Sequence, residues 1–420
     1  MKFEILNEEE FRAFSEARDD YNLWQSVDMA ELRKKEGFFV EFAGVRDDSG
    51  KILCGGMFSY RMVMGHRQYY SPRGFLIDWN DRELVRFFLQ SFASYAKAHK
   101  GLSLRVDPYV PLKARDLDGN AVEGGFDNTW LVELMQELGF RHHGYTRGID
   151  LQRECRWIYT IPLKGRTLDE MLESFERKTR RSVQKTIKYR IYTKELDESN
   201  IDEFIKVMES TSERRQFENR TREYYIDLLR IFGKRGHLKY LSAIADIDVY
   251  IEELEKDAQK EKDTIAECDA KLAVNPNSAK MTKKKAIAQD VLAQYEKHIA
   301  EAQQMKAEKG KEITLSSGVF FINKNEILCL FSGVYEEYMQ FASPYAMHWQ
   351  MMKYGIEHGI GRYNLYGISG IFDESADDWG VYLFKKGFMG EVVELVGEFE
   401  CDYTPLNRVY HFLSRIKNHG

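Results

Sequence analysis

Between residues 247 and 311 the chain keeps a 4-3 apolar spacing that fits one kind of structure. Ile247, Ile251, Leu254 and Ala258 begin the seam, and Ile265, Cys268 and Leu272 carry it past a break at Glu261. After Asn275-Pro276-Asn277 the register resumes at Ala288, Leu292, Tyr295, Ile299 and Ala302. Proline in a polar turn stops a helix, and the second seam lets the next helix fold back on the first. The spacing predicts an antiparallel helical hairpin, each arm about 25 residues and about 37 Å long. Such a rod needs no chemistry of its own; it can serve as a strut, a dimer contact or a lever that reaches RNA. Lys280, Lys283, Lys284 and Lys285 lie near its tip.

The rod interrupts a pattern of strands and helices that occurs twice. In the first section, residues 38–45 and 52–63 read as strands joined by the turn Asp47-Asp48-Ser49-Gly50. A third strand over 68–77 is broken by Pro72-Arg73-Gly74, an amphipathic helix covers 82–99, and a strand ends at Asp107-Pro108. A helix over 129–138 and a strand from 140 close that section. In the second, strands at 238–245, 313–322 and 327–331 precede a helix over 345–358 and a strand at 363–366. Arg105-Val106-Asp107-Pro108 then aligns with Asn364-Leu365-Tyr366-Gly367. The repeat predicts an α+β protein of two related folds with a cleft between them. The expected divisions are 1–151, then 152–246 with 312–400, the arm at 247–311, and a basic amphipathic helix over 406–416 in a closing 401–420 segment packed on the body.

At 420 residues the chain supports two or three domains. Five scattered cysteines without C-x-x-C read as reduced thiols, and ten histidines without H-E-x-x-H offer no zinc site. His142-His143 reads as a surface pair. The opening MKFEILNEEEFRAFSE is acidic where a signal peptide is basic, and no apolar run is long enough to cross a bilayer. The expectation is a cytoplasmic protein without metal or cofactor. Net charge of −6 does not describe a dedicated nucleic-acid binder, so any such contact must come from a local patch. One patch is RKTRRSVQKTIKYR, residues 177–190, with seven positive charges and no acid. Val183 and Ile187 give it a narrow apolar stripe that would dock one face, leaving the other either simply solvated or available to phosphate.

The stretch from Gly361 to Gly397 carries the chemistry. A strand runs into Gly367 and Gly370, an acidic loop follows, and short helical turns end in Lys385-Lys386-Gly387. Two readings fit. Lysines beside a glycine-opened strand suit a phosphate or a developing oxyanion. Equally, they cap a helix end, with Gly387 as its left-handed residue.

Taken together the chain resembles the Fem family of aminoacyl-tRNA-dependent peptidyltransferases, which build interpeptide bridges of Gram-positive cell walls. The resemblance covers almost the whole chain: the opening MKFEILNEEEFRAF, Gln25-Ser26 with Ala30-Glu31-Leu32-Arg33, Ser71 to Asp78, Val106-Asp107-Pro108-Tyr109, Phe217 to Tyr225, the arm, Tyr363 to Gly370, and Phe384-Lys385-Lys386-Gly387. It implies two tandem acetyltransferase-like (GNAT-like) domains with an inserted coiled-coil arm. The implied reaction moves glycine, alanine or serine from a charged tRNA to an amine of a lipid-linked or UDP-linked muropeptide. By the same resemblance Arg33, Arg220 and Tyr224 bind the precursor's diphosphate, with Arg73 and Tyr366 also on the substrate. Lys385, with Phe384 before it, supports the transferred acyl group, and Asp107 is a possible base. Arg177, Lys178, Arg180, Arg181, Lys185, Lys283 and Lys284 are candidate tRNA contacts. The resemblance also favours a lipid-linked acceptor at the inner membrane face and predicts that Arg33, Arg220 and Lys385 share one groove; the arm's charged faces permit a monomer or a homodimer. Two other readings are an acetyl-CoA-dependent N-acetyltransferase, for which neither half holds a glycine-rich pyrophosphate loop, and a coiled-coil tRNA-binding adaptor without activity.

Overall fold

The computed structural model describes residues 1–150, 153–407 and 410, so most of the expected 406–416 helix lies outside the described residues. The strands are β1 (Lys2–Leu6), β2 (Phe39–Arg46), β3 (Ile52–Val63), β4 (His66–Arg73), β5 (Gly101–Pro108), β6 (Pro111–Ala114), β7 (Arg141–His142) and β8 (Trp157–Pro162). They continue with β9 (Tyr192–Leu196), β10 (Leu238–Asp246), β11 (Glu312–Ile322), β12 (Glu326–Val334), β13 (Arg362–Ile368), β14 (Glu391–Leu395) and β15 (Phe399–Asp402).

Two sheets result, ordered β1-β2-β3-β4-β5-β15-β7 and β6-β14-β8-β13-β12-β11-β10-β9. Each has a single parallel pair at its middle, β4 with β5 and β12 with β13, between antiparallel neighbours. A parallel pair needs a crossover, supplied by the helices Arg82–Ala98 and Ser343–Glu357. This is the N-acyltransferase-like arrangement, present twice. Two strands cross between the halves: β15 enters the first sheet beside β5, and β6 forms the edge of the second beside β14.

Periodicity explains the layers. In Arg82–Ala98, capped by Asp81, the residues Leu84, Val85, Phe88, Leu89, Phe92 and Ala96 form one buried stripe against Phe58 and Leu104 of the first sheet. Met347, Met351 and Met352 do the same beneath Tyr363 and Leu365. A third core joins the halves: Trp24, Leu32 and Phe42 pack in one cluster with Tyr225, Tyr240 and Phe321. The two halves therefore share an apolar core.

The arm is longer than expected, Ile247–Val274 and Ala279–Lys309, helices of 28 and 31 residues. The longer one spans about 46 Å at 1.5 Å per residue. Leu254, Ala258, Cys268, Ala288 and Ala302 are buried, as the spacing requires. Asp246 caps the first helix, and Lys306 and Lys311 pair with Asp248 and Asp246 at the base.

Candidate active site

Arg33 and Arg220 reach the same cavity from distant parts of the chain. Arg33 sits in the last turn of the helix Val27–Lys35, which Ser26 caps; its guanidinium pairs with Glu36 at 2.8 Å and lies over Phe38. Its Nε is buried without a hydrogen-bond partner. Arg220 precedes the helix Arg222–Phe232 and stands 5.3 Å from the centre of the Tyr224 ring, with no ion pair among the described residues. The cavity they line holds about 510 Å³. Arg61, Arg105 and Arg153 complete a set of five arginines, facing Glu154, Glu398 and Glu400.

A smaller cavity of about 140 Å³ adjoins it, sharing His143, Arg153, Glu154 and Glu398 and adding Arg73 and Asp107. Arg73, only 2% exposed, pairs with Asp107 at 3.2 Å, donates to the Cys155 carbonyl at 2.6 Å and lies between the Trp24 and Tyr109 rings. Asp107 accepts from the Tyr70 hydroxyl at 3.0 Å and from the Arg73 N–H at 3.2 Å. Burial pushes its carboxyl up to about 7 against the opposing pull of Arg73.

Lys385 is not in the Arg33–Arg220 cavity, so the expected three-way groove is corrected. It ends the helix Trp379–Lys386, is buried, and donates from Nζ to the Gly367 carbonyl at 2.6 Å. A Cβ at Gly367 would meet Cys155 Sγ at 2.3 Å, and Cys155 lines the smaller cavity. Gly367, the acceptor of Lys385, thus lies against a residue of the smaller cavity's wall. Burial pulls the ammonium down to about 8, and no carboxylate is within ion-pair reach among the described residues. Tyr366, just before Gly367, stacks on Trp24 and hydrogen-bonds Glu154 through its hydroxyl, tying this strand to both cavities.

The expected left-handed Gly387 is also corrected: its φ is −58°, ordinary helical backbone. What glycine supplies is space, because a Cβ there would meet Thr179 Oγ1 at 2.1 Å. The Lys385 helix thereby packs on the basic helix Arg177–Lys188. Phe384 is held by Tyr345, His348 and Phe388. His348 Nδ1 meets the Tyr363 hydroxyl at 2.5 Å, and burial pulls its imidazole down to about 3, leaving it neutral.

In the basic helix Val183 is buried, yet Ile187 is 53% exposed; the docked face is Thr179, Val183 and Thr186 instead. Arg177, Lys178, Arg181 and Lys185 line a shallow depression of about 380 Å³, with Arg180 half-buried on the flank and Lys185 donating to the Gln340 carbonyl. At the arm's tip Lys284 pairs with Glu267 and Lys285 with Asp269, while Lys283 is exposed. His142 and His143 are no surface pair: His143 lies between Glu398 and Glu400 in the cavity wall, and His142 Nε2 meets the Val396 carbonyl.

Arg61, Arg105, Arg153, Glu154 and Glu398 join the site without a place among the residues expected from sequence. Arg61 was within reach, since Ser59, Arg61, Gln68 and Tyr70 form the polar face of a hairpin with period two. Glu398 stands just before β15, whose crossing into the first sheet no local pattern encodes, and Glu154 stands in the loop before β8.

Twin acyltransferase-like sheets around a shared polar cavity, with a coiled coil between two hairpin strands, define a double acyltransferase fold. The chain belongs to the FemAB family, whose model matches residues 6–416. It is 31% identical over 423 residues to Aminoacyltransferase FemA of Staphylococcus aureus strain NCTC 8325 / PS 47, covering 100% of this chain and 99% of that one. The protein of strain MRSA252 matches to the same extent. Among solved structures, FemX matches with a TM-score of 0.77 at 24% identity, covering 97% of this chain and 99% of that chain, which shows the same fold.

Proposed function

We propose that the protein is an aminoacyltransferase that moves an amino acid from aminoacyl-tRNA onto an amine of a lipid-linked peptidoglycan precursor. Full-length similarity to proteins named Aminoacyltransferase FemA supports the reaction class. The observation that carries the site is Lys385, a buried ammonium that donates to the Gly367 carbonyl, with no carboxylate at ion-pair distance among the described residues. An uncompensated buried cation is costly, and an anion arriving with the substrate offsets that cost.

In this reading the acceptor amine, once neutral, attacks the ester carbonyl of the charged tRNA. A C–N bond forms, the oxyanion collapses, and the C–O bond to the ribose breaks as that oxygen regains a proton. Asp107 takes the amine's surplus proton, a task suited to a carboxyl held near 7. Arg33, whose buried Nε has no hydrogen-bond partner, and Arg220, without an ion pair among the described residues, grip the precursor's diphosphate. The esterified end of the tRNA enters from the side of the basic helix, on which the Lys385 helix packs. The test is transfer from tRNAs charged with glycine, alanine or serine to lipid-linked and UDP-linked precursors, read by mass spectrometry of the muropeptide. Growth of the acceptor by one residue mass supports the assignment; no transfer from any charged tRNA to either acceptor defeats it.

A further inference from the structure

One end of the first sheet carries an apolar tip ringed by cations, on the rim of the Arg33–Arg220 cavity. β3 and β4 meet in the two-residue turn Met64-Gly65, with Val63 paired to His66. Both turn residues have positive φ, 51° and 76°, the pattern that matches hairpin twist and favours asparagine followed by glycine. Methionine has no side-chain hydrogen bond to offset the left-handed backbone, and Met64 is 52% exposed. Met62 and Phe39, on the same end, are 51% and 56% exposed. Apolar side chains thus occupy a tip where local conformation prefers a polar one.

Strand alternation gives this end two faces. Arg61 and Gln68 turn toward the Arg33–Arg220 cavity, while Met62 and Arg67 line a separate depression of about 320 Å³ with Phe39 and Lys100. The backbone holds the pieces together: Arg67 N–H donates to the Lys100 carbonyl at 2.8 Å, and Phe39 stacks on Tyr60. Residues 61–67 and 97–100 contain no acid. Arg61, Lys97 and Lys100 form no ion pair among the described residues, whereas the nearby Glu36 and Glu41 are engaged by Arg33 and Arg67.

We propose that this hairpin tip docks on an anionic bilayer, with Met62, Met64 and Phe39 at the acyl boundary and Arg61, Lys97 and Lys100 among the headgroups. The cavity mouth then opens at the membrane surface, where a lipid-linked acceptor resides; in this the inference rests on the reading above. Charge complementarity selects a bilayer over a second copy of the chain, because a twofold contact through this patch sets the cation ring against itself.

The test is flotation of the full-length protein with phosphatidylcholine vesicles, pure or with about one third phosphatidylglycerol, at about 0.1 M salt. The variant is Met62→Ser with Met64→Asn, which removes the apolar tip while supplying a residue suited to the turn. The wild type binds the anionic vesicles and leaves the neutral ones, and the variant loses about tenfold or more of that binding with an unchanged melting temperature. Equal binding to both compositions, no binding, or undiminished binding by the variant overturns the proposal. So does a dimer that the substitutions convert to monomer without touching vesicle binding. The assay contains neither tRNA nor acceptor, so an inactive protein that still floats refutes the transferase reading alone.

Discussion

The Arg33–Arg220 cavity and the basic helix Arg177–Lys188 are both rich in arginine, yet they hold charge in opposite ways. In the cavity five arginines face three glutamates within a concave wall, and Arg33 keeps one buried donor unpaired. On the helix Arg177, Lys178 and Arg181 are exposed on a convex surface without ion pairs among the described residues. Under the proposed function the first arrangement would fix a compact multiply charged ligand by geometry, and the second would attract a polyanion through released counterions. Lys385 lines neither, being buried with its ammonium on the Gly367 carbonyl, and belongs to neither type.

The sharpest break in that comparison is at Lys385 itself. Lys385→Ala lowers kcat about 100- to 1000-fold, the scale of losing one preorganised oxyanion partner. Lys385→Met removes a desolvated charge, so its melting temperature equals or exceeds that of the wild type. Single-turnover kinetics beside thermal unfolding check both; a variant that unfolds in parallel with its loss of rate makes the lysine merely structural.

Asp107 gives the next effect, about 100-fold in kcat for Asp107→Asn. Its pH signature is specific. As pH rises through about 7 Asp107 ionises and becomes a base, and above about 8 Lys385 loses its charge, so kcat/KM is a narrow bell. Asp107→Asn erases the acid limb and leaves the alkaline one. For stability the sign is reversed: a carboxyl raised on folding favours the native state below the ordinary carboxylate range, a gain lost as pH rises through about 7. Asp107→Asn flattens that slope as well, which pH-dependent melting measures.

For the cavity, Arg33→Ala or Arg220→Ala raises KM for the acceptor about 10- to 100-fold with kcat nearly unchanged, since each loses a charge-assisted contact made equally in ground and transition states. Arg33→Lys restores part of the affinity, because a point charge replaces a fork. Steady-state kinetics with acceptor varied at saturating donor decide it. Equal changes in KM for donor and acceptor would merge the cavity with the helix into one surface.

How much of this was legible depends on the range of the interactions. The arm was readable because each helix is specified by neighbours three and four residues away, and Leu254, Cys268 and Ala288 took the buried seam. Lys385 was singled out by a local strand, glycine and helix order. Ile187 misled because spacing alone cannot tell Thr186 from Ile187 as the docked residue; packing of this helix against Ser343–Glu357, in the core that holds Val183, sets that rotation. Gly387 misled in the same way, since its requirement is room for Thr179 and not a backbone angle. The meeting of Arg33 with Arg220, nearly two hundred residues apart, came from resemblance and not from pattern. The placement of Lys385 outside their cavity, on the Gly367 carbonyl, had no local signal at all.

The smallest effect is the most diagnostic for the helix. If its cations meet a polyanion, the logarithm of affinity for charged tRNA falls linearly with the logarithm of salt, and each phosphate contact removed lowers the slope by about 0.7 to 0.9. Arg177→Ala with Arg181→Ala therefore reduces the slope by about 1.5 and weakens binding only a few-fold each at physiological salt. Acceptor KM stays constant, because these residues and the Arg33–Arg220 cavity share no lining residue. Filter binding across a salt series measures the slope. An unchanged slope with weaker binding assigns Arg177 and Arg181 to packing at the Lys385 helix, and a shift in acceptor KM abolishes the distinction between the two charged regions.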